Sequence, residues 1–429
     1  MLKTGNLVAS IKICLRKLKK PQIDVNALAF VIPWYGDNII GGAEAACNYL
    51  AHSLQKAGQN VEVLTTCTKD SVSDRGKNTI APGVYLESGI KVRRFAVREN
   101  RDVEAYVKST QKIQYNDNFT IENEKVYFRE DINSPEMYSF IRKNKDRYRG
   151  FIFIPYMYGI IYNGSSECMD KSIMIPCLHD ESFAYMQVLK DKMSSFKGMF
   201  FNSEPEYELA KRLYDLSNVK CFVTGLGVDT DWADKINSDE FKEKYNIDDD
   251  FILYAGRKDE GKKAGELIEY FIRLKKENPA IKLKLVFIGG GNLPVEVPTE
   301  LKAEIIDLGF VSIDDKHNAF AAATVFCNPS HVESFSFVIM ESWIARRPVL
   351  VSGHCEVTKH FCIESNGGLY YNNYEEFSNC VESILANKQE ADTMGENGYY
   401  YVLNNFTHDI ITEKYLRYLD EIYAEDIVK

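Results

Sequence analysis

Several features that would place this 429-residue chain in other classes of protein are missing from its sequence. No apolar run approaches the roughly 18 residues that a membrane-spanning helix needs. The ten cysteines are scattered and form no regular framework, which favours a reducing compartment. The first 20 residues are basic but lack the continuous apolar centre of a cleavable signal peptide. These absences predict a cytoplasmic protein.

The sequence also lacks common signatures of cofactor and metal binding. It contains no G-x-G-x-x-G fingerprint of a dinucleotide site, and no Asp-x-Asp motif ends a strand-like run. His354, Cys355, His360 and Cys362 lie close together in sequence, but their spacing matches no zinc pattern. A net charge of −10 and a pI of about 5.4 argue against general nucleic-acid binding. We therefore predict no metal, no cofactor and no nucleic-acid partner.

Residues 1–23 differ from the rest of the chain in charge. They contain six basic residues and no acidic residue, within a chain whose net charge is −10. Apolar residues recur at helical spacing from Leu7 to Leu18. A basic amphipathic helix can lie on an anionic membrane surface, which predicts a peripheral contact with the inner face of the plasma membrane through residues 1–20. The alternative is a helix or tail that packs on the acidic body of the protein.

The rest of the chain alternates between strand-like and helix-like segments in two successive blocks. In the first block, residues 27–33 indicate a buried strand, residues 43–57 a helix and residues 61–65 the next strand. Such a strand–loop–helix–strand unit is typical of doubly wound α/β folds. Gly41 and Gly42 open the helix and would let a ligand approach the backbone closely, although a tight turn explains them equally simply.

The second block begins at a strand over residues 251–255. Gly256, Arg257 and Lys262 follow in the next loop, and cations in such a loop before a helix suit a diphosphate, unless they form a solvated charge run. Both blocks together predict an α/β protein with two doubly wound, Rossmann-like domains that face a cleft. The predicted boundaries are residues 1–23 for the basic segment, 24–227 for the first domain, 228–250 for the connection, 251–406 for the second domain and 407–429 for a last helix.

Part of the first block is less regular. Residues 99–145 are charged and weakly patterned, and we predict an insertion with one helix over residues 134–143. A strand over residues 172–178 ends at His179. Open α/β sheets place ligand-binding groups at such strand ends, but His179 is a bystander if Asp180 merely caps a helix there.

The clearest helix start in the first block is the sequence Asn-Ser-Glu-Pro-Glu over residues 202–206. Ser203 is a strong N-cap, and the proline and the acidic residues suit the first turn of a helix. Glu204 therefore has a structural explanation, and the alternative is that its side chain faces the cleft.

Residues 328–351 contain the remaining polar residues that could bind a ligand. They follow a strand-like run over residues 324–327, and an apolar segment of helical length covers residues 335–345. Glu333 precedes this helix and Glu341 lies inside it, where an unpaired buried carboxylate would be costly. The free N–H groups at the helix start could hold a phosphate. The arrangement suits a phosphorylated sugar.

A structural explanation is also open, in which Glu333 is solvated and Glu341 forms an ion pair with Arg346 or Arg347. The pattern Glu333-Ser-Phe-Ser-Phe-Val-Ile-Met-Glu341, followed by Arg347-Pro-Val, nevertheless resembles the Glu-x7-Glu motif of retaining glycosyltransferases of the family 4 type. These enzymes have the GT-B fold, in which two Rossmann-like domains face a cleft and the last helix commonly crosses back to the first domain. Ser336 departs from the pattern, because a glycine is common there.

The resemblance implies roles for residues of both blocks. Arg257 and Lys262 match a pair that neutralises the nucleotide diphosphate, and His179 resembles a histidine beside the donor sugar. Glu333 would hold sugar hydroxyls, and Glu341 the ribose. The other residues implied in substrate binding are Gly41, Gly42, Gly256, Gly289, Val311, Ser334, Phe335, Ser336 and Phe337.

The function implied by the resemblance is the transfer of a sugar, with retention at the anomeric carbon, from a nucleotide-diphosphate sugar to a glycan or lipid-linked acceptor. Cell-surface polysaccharide assembly is the expected setting, and no metal would be needed. Two alternatives use the same site. One is a nucleotide-sugar epimerase of the same fold, and the other is an inactive partner that only binds a nucleotide sugar.

Overall fold

A computed structural model describes residues 16–18, 22–36 and 41–424 of the chain. The chain divides into two compact units: one comprises Met1–Val107 and Val126–Ser172, and the other Lys108–Lys125 and Ile173–Lys429. This division falls at residue 172, inside the first domain predicted from the sequence, and the predicted boundaries stay a prediction. No helix among the described residues is long and apolar enough to cross a membrane.

The first unit is built on a mostly parallel sheet. Its strands lie in the order β1-β4-β5-β3-β2-β6, with β1 and β4 antiparallel to their neighbours. All five residues of β2 are buried, as expected for a central parallel strand with an unbroken apolar sequence. The strands are β1 (Arg16–Lys17), β2 (Ala27–Val31), β3 (Val61–Thr66), β4 (Gly83–Glu87), β5 (Ile90–Phe95) and β6 (Tyr148–Phe153).

The predicted strand–loop–helix–strand unit is confirmed. Helix α1 (Gly42–Lys56) connects β2 to β3, which pair in parallel with Leu28 opposite Val61. Its buried residues recur three and four positions apart, so one face of the helix packs inward. These buried residues are Ala46, Cys47, Leu50, Ala51 and Leu54.

The prediction of one helix in residues 99–145 is wrong. This segment forms α2 (Val103–Gln114), α3 (Ile121–Glu130) and α4 (Pro135–Asn144), and only the last was predicted. Helix α2 buries only Ser109 and Ile113. Its apolar residues Val103, Tyr106, Val107 and Ile113 do recur at helical spacing, but they are few within a charged segment and the pattern was missed. A further helix, α5 (Gly159–Ser165), follows β6 and was also missed.

The helix predicted over the basic N-terminal segment is contradicted where the structure describes it. Arg16 and Lys17 form strand β1, which pairs antiparallel with Tyr85 and Leu86 of β4. The backbone N–H of Leu18 continues the pairing with a bond to the Val84 carbonyl, at 2.9 Å. Residues 1–15 lie outside the described part of the chain. The membrane contact predicted for residues 1–20 therefore stays a prediction.

From Ile173 onward the second unit contains three short parallel strands. They are β7 (Ser172–Met174), whose first residue belongs to the first unit, β8 (Gly198–Phe201) and β9 (Lys220–Val223). Strand β7 is shorter than the predicted strand over residues 172–178. Helices α6 (Gln187–Met193) and α7 (Glu204–Leu213) lie between the strands in sequence. The predicted cap of α7 is confirmed, because the Ser203 hydroxyl accepts a hydrogen bond from the Glu206 N–H at 3.4 Å.

A six-stranded, fully parallel sheet forms the larger part of the second unit. Its order is β12-β11-β10-β13-β14-β15, and a cluster of buried aliphatic and aromatic side chains packs around its strands. The strands are β10 (Asp250–Ala255), β11 (Leu283–Ile288), β12 (Ile305–Asp307), β13 (Val325–Asn328), β14 (Val349–Ser352) and β15 (Gly368–Tyr371). The helices are α8 (Ser238–Tyr245), α9 (Ala264–Glu277), α10 (Ile313–Ala322), α11 (Phe337–Ile344), α12 (Glu356–Ser365), α13 (Tyr374–Ala386), α14 (Lys388–Asn405) and α15 (His408–Tyr423).

The last helix, α15, packs against strands β8 and β9. The Tyr415 ring lies 4.8 Å from the Phe200 ring, and the Tyr418 ring stacks on Phe222 at 4.1 Å. Because these contacts join the end of the chain to residues 198–223, they explain why both belong to one compact unit. Helix α12 and strand β15 were not predicted from the sequence.

Candidate nucleotide-sugar site

Two loops at the carboxyl ends of β10 and β11 touch at glycine residues. A Cβ atom on Gly289 would lie 2.2 Å from the Gly256 carbonyl oxygen, which no side chain can tolerate. Gly289 also has a φ of 114°, a conformation that strongly favours glycine. Gly256 and Gly289, both implied in substrate binding, therefore lie against each other at the edge of the sheet where α/β proteins bind ligands.

The predicted cation Lys262 contacts the predicted carboxylate Glu333 directly. The distance from Lys262 Nζ to Glu333 Oε1 is 2.7 Å, and the two side chains are 30% and 14% exposed. Lys262 is held by the turn before α9, where Asp259 Oδ1 accepts a hydrogen bond from the Lys262 N–H at 3.0 Å. Arg257 lies in the same loop with a side chain that is 70% exposed. Its Nε lies 3.5 Å from Asp259 Oδ2. One cation and one carboxylate, Lys262 and Glu333, thus meet after the ends of β10 and β13, and Arg257 follows β10 in the same loop.

Lys258 is a residue of this loop that sequence reasoning missed. Its side chain is fully buried, and its ammonium donates to the Gly289 carbonyl at 2.9 Å and to Asp307 Oδ1 at 2.5 Å. It therefore ties the ends of β10, β11 and β12 together beneath the glycine contact. Nothing in the sequence distinguished Lys258 from the exposed cations beside it, because its burial follows from the packing of the three loops.

The loop before α11 turns into the helix through a strained residue. Ser336 has a φ of 87°, and its hydroxyl accepts a hydrogen bond from Asn328 Nδ2 at 3.1 Å. Glycine adopts this conformation freely, which accounts for the glycine that is common at this position in the Glu-x7-Glu pattern. Ser334, Phe335 and Phe337 flank it, so the first free N–H groups of α11 lie directly after the loop that carries Glu333.

Glu341 has a different partner from the one considered in the structural alternative. Its Oε1 lies 2.6 Å from Nζ of Lys316, in α10, whereas Arg346 pairs with Glu396 and Arg347 lies 3.7 Å from Asp392. The ion pair with Arg346 or Arg347 that the structural alternative offered is therefore not formed, because both arginines pair with acidic residues of α14. The second oxygen, Oε2, is buried and has no hydrogen-bond partner among the described residues.

Asn202 links the segment that precedes His179 to the loop of Glu333. His179 Nδ1 lies 3.4 Å from Glu181 Oε1. The buried amide of Asn202 donates to Cys177 Sγ at 3.5 Å and to Ser334 Oγ at 3.4 Å. Asn202 is therefore a second residue that sequence reasoning missed, since its polar signal was indistinguishable from that of the helix start beside it.

The predicted Val311 lies near an exposed aromatic side chain. Phe310, the residue before it, is 72% exposed. A Cβ atom on Gly290 would lie 2.7 Å from Phe310 Cζ, so one edge of the ring rests against the glycine loop after β11. Val311 itself is half-buried.

Gly41 and Gly42 belong to the first unit. Gly41 is the residue before α1, and a Cβ atom there would collide with the Glu44 carboxylate at 1.9 Å. The Glu44 carboxylate in turn accepts a hydrogen bond from the indole of Trp34, which follows β2. Gly41 therefore has a definite structural role at the start of the helix, whereas a Cβ atom on Gly42 would meet no atom within 4 Å.

The candidate metal ligands do not assemble. Among the described residues, no group of three or more histidine, cysteine, aspartate or glutamate side chains could hold a metal ion. His354 is engaged instead with the Asn372 carbonyl at 3.1 Å, and its ring lies 4.8 Å from that of His331. Cys355 and Cys362 are buried free thiols.

Two parallel-sheet, Rossmann-like α/β domains with glycine-containing and cationic loops at strand ends define a GT-B architecture. Residues 236–400 match the family "Glycosyl transferases group 1", a range that contains the six-stranded sheet and both glutamates of the Glu-x7-Glu pattern. The match covers less than half of the chain.

Two curated proteins are similar in sequence. An uncharacterized glycosyltransferase of Methanocaldococcus jannaschii is 30% identical over 200 residues, which cover 44% of this chain and 46% of that protein. The lipopolysaccharide core biosynthesis glycosyltransferase LpsE of Rhizobium meliloti is 32% identical over 108 residues, covering 25% of this chain and 32% of that protein. The chain thus matches less than half the length of either relative.

Among solved structures, Anabaena HepE in complex with UDP and glucose superposes with a TM-score of 0.64, at 14% identity, over 92% of this chain and 100% of that chain. At this level of identity the likeness concerns the fold, and it covers both Rossmann-like domains. The structural likeness shows the GT-B fold, and the sequence likeness to glycosyltransferases covers part of the chain.

Proposed function

We propose that this protein is a retaining, metal-independent glycosyltransferase. It transfers a sugar from a nucleotide-diphosphate sugar to a glycan or lipid-linked acceptor in cell-surface polysaccharide assembly. The observation that carries the proposal is the contact between Lys262 and Glu333 at the carboxyl ends of β10 and β13. In such a site, the cation that binds the diphosphate and the carboxylate that accepts hydrogen bonds from the sugar hydroxyls must lie side by side.

Different residues bind different parts of the nucleotide-sugar donor. Arg257 and Lys262 face the diphosphate, and the free N–H groups at the start of α11 add a positive dipole end. Lys262 exchanges its contact with Glu333 for the diphosphate, which frees the carboxylate for the sugar. As the bond to the sugar breaks, negative charge develops on the leaving diphosphate, and these groups stabilise it. His179 contacts the sugar near the reacting carbon.

The base and ribose lie on the other side of the diphosphate. The unpaired Oε2 of Glu341 accepts from a ribose hydroxyl while Lys316 holds the other oxygen. The base contacts the backbone near Val311, beside the exposed ring of Phe310. HepE, with the same fold, was solved with UDP, which makes uridine nucleotides the first donors to test. The similarity to LpsE, a lipopolysaccharide core biosynthesis glycosyltransferase, supports a role in polysaccharide assembly.

A donor panel tests the proposal. The protein is incubated with UDP-, GDP-, ADP- and dTDP-sugars, with and without glycan acceptors, and both nucleoside diphosphate release and donor isomerisation are followed. A glycosyltransferase releases diphosphate, faster when an acceptor is present, and the product keeps the anomeric configuration of the donor. Isomerisation without diphosphate release would indicate an epimerase. Donor binding without any turnover would indicate an inactive partner.

A matched pair of variants ties the activity to the site. Lys262→Met should lower the turnover rate by about a hundredfold or more, since it removes one transition-state cation. Lys276→Met, an exposed lysine of the last turn of α9, should leave the rate unchanged. Equal rates for both variants would contradict the assignment.

A further inference from the structure

Glu206 carries a buried carboxyl group to which the proposed reaction gives no role. It lies in the first turn of α7 and is 1% exposed, whereas Glu204 in the same turn is exposed. Burying a carboxyl group is costly unless both of its oxygens find hydrogen-bond donors. The donors of Glu206 therefore indicate what it does.

Two separate loops donate to this carboxyl group. The backbone N–H of Leu178 lies 2.6 Å from Oε1, and the backbone N–H of Asn202 lies 2.5 Å from Oε2. Leu178 immediately precedes His179, at the carboxyl end of the β7 segment, and Asn202 immediately follows β8. One side chain thus joins the loops that follow two neighbouring strands.

A capping role accounts for only part of this arrangement. The spacing from Ser203 to Glu206 is that of a capping box, in which the glutamate reaches back to backbone N–H groups at the start of its own helix. That explains a bond at residue 202 or 203. It does not explain the bond to Leu178, which lies 28 residues earlier in the chain.

The second loop leads to the donor site. The side chain of Asn202 is buried and donates to Ser334 Oγ at 3.4 Å. Ser334 is adjacent to Glu333, whose carboxylate contacts Lys262 at 2.7 Å. Glu206 therefore fixes the backbone of a residue that contacts the loop of Glu333, and the backbone of the residue before His179.

We propose that Glu206 is a positioning residue that sets His179 and the loop of Glu333 in their places relative to each other. This inference rests on the proposed function, because it assigns Glu206 an effect on sugar transfer. Glu206 itself touches neither donor nor acceptor. It acts through the backbone of Leu178 on His179, and through Asn202 on Ser334.

The variant Glu206→Gln tests this directly. An amide accepts through one oxygen and presents an NH₂ group in place of the other, so one backbone N–H loses its acceptor. Misplacement of a reacting group by about 1 Å can cost roughly a hundredfold in rate. We expect kcat with the fastest donor of the panel to fall by about ten- to a hundredfold, with UDP affinity within about twofold of wild type. Glu204→Gln is the matched control and should behave as wild type.

A double-mutant cycle separates positioning from general damage to the fold. If Glu206 acts on turnover through His179, Glu206→Gln should cost much less in a His179→Ala background than in wild type. A merely structural role would lower both rates by the same factor. If Glu206→Gln does not fold, Asn202→Ala, which removes only the side-chain contacts to Cys177 and Ser334, is combined with Glu333→Gln instead. A loss smaller in the Glu333→Gln background than in wild type supports the arm through Ser334, and additive losses contradict it.

The outcomes distinguish this inference from the proposed function. A wild-type protein that turns over none of the donors overturns the proposed function, and the inference falls with it. A wild-type protein that is active, with Glu206→Gln equally active or with additive losses in the cycle, overturns the inference alone. Loss of kcat, retained UDP affinity and a non-additive cycle support both.

Discussion

At the level of single residues, three glutamate carboxyl groups shape the candidate site, and the hydrogen-bond donors around each one indicate its role. Glu333, Glu341 and Glu206 are all largely buried, yet each has a different donor: a lysine, a second lysine with one oxygen left over, and backbone N–H groups. A buried polar atom without a protein partner needs an explanation, and a bound ligand is one. On this ground Glu341 is the residue to test for nucleotide binding.

Glu341→Gln should weaken nucleoside diphosphate binding by about ten- to a hundredfold, since it removes charge-assisted hydrogen bonds to the ribose worth roughly 1.5–3 kcal/mol. Glu333→Gln should instead weaken the nucleotide sugar while sparing the free diphosphate. Calorimetric titration with UDP and with 2′,3′-dideoxy-UDP measures the effect. The analogue should bind wild type and Glu341→Gln alike. If UDP also binds both proteins equally, Glu341 serves only its ion pair with Lys316.

Glu206 should make stability depend on pH. Burial raises the pKa of Glu206 to about 8, although the backbone N–H groups of Leu178, Asn202 and Ser203 lower it. A carboxyl group with a raised folded-state pKa keeps its proton on folding, so this contribution is complete below about pH 4.5 and is lost as the pH rises towards 8. The free energy of unfolding should fall by up to about 1.4 kcal/mol per pH unit in that window.

Chemical denaturation at a series of pH values measures this slope. In Glu206→Gln the group no longer titrates, so the stability curve should be flatter than that of wild type between these pH values. The exposed Glu204→Gln should keep the wild-type slope. Parallel curves for wild type and Glu206→Gln would contradict the assignment of the raised pKa to this residue.

At the scale of elements, the site is built from loops at the carboxyl ends of parallel strands, and its cations come from one of them. Arg257, Lys258 and Lys262 all follow β10, but only Arg257 and Lys262 present partly exposed charges. Lys258 is committed to Asp307, so it supports the loop and does not face solvent. Two cations and the start of α11 remain for a diphosphate.

We therefore expect turnover without an added metal ion. EDTA should leave the initial rate essentially intact, because the positive charges that stabilise the leaving diphosphate belong to the protein. The rate is measured before and after chelation, with Mg²⁺ or Mn²⁺ added back. A tenfold loss that either ion restores would contradict the role given to Arg257 and Lys262.

Helix α15 should contribute strongly to stability through its contacts with β8 and β9. Tyr415 is completely buried beside Phe200. Tyr415→Ala removes a large side chain from a packed site and should cost roughly 3–5 kcal/mol of unfolding free energy. Tyr400→Ala, at a position that is 57% exposed, is the control and should cost little. Similar denaturation midpoints for the two variants would mean that α15 is only loosely attached.

At the scale of the whole molecule, charge is distributed unevenly along the chain. The six basic residues within the first 23 contrast with a net charge of −10 for the chain. An acidic body is repelled by an anionic membrane, so any attraction to it must come from the basic segment. The predicted membrane contact should therefore depend on anionic lipid and on salt concentration.

Binding to vesicles that contain anionic lipid should weaken as salt rises, since exposed charges are screened within about 10 Å at roughly 0.1 M. Deleting residues 1–20 should abolish binding and leave UDP affinity unchanged. Vesicles of neutral lipid are the control, and sedimentation with the vesicles is the measurement. Retention of vesicle binding by the shortened protein would rule out this segment as the contact.

Much of the fold could be predicted from the sequence because it follows from local patterns. Central strands such as β2 and β10 are short, continuous apolar runs, and helices such as α1 and α7 carry apolar periodicity or a strong cap. The predictions failed where local pattern and structure separate. Helix α2 carries few apolar residues in a charged segment and buries only two residues, so it was missed. Strand β1 lies in a basic stretch with apolar residues at helical spacing, yet it pairs with β4.

The class of fold and the residue types of the candidate site follow from local features of the sequence: strand-end loops, glycines and the Glu-x7-Glu spacing. The partners of these residues depend on which loops meet in space, so they became clear from the folded structure alone. It paired Glu341 with Lys316 and not with a neighbouring arginine, and it buried Lys258 among exposed cations. It also enclosed Glu206 between two loops, because hydrogen bonds to residues distant in sequence leave no periodic trace.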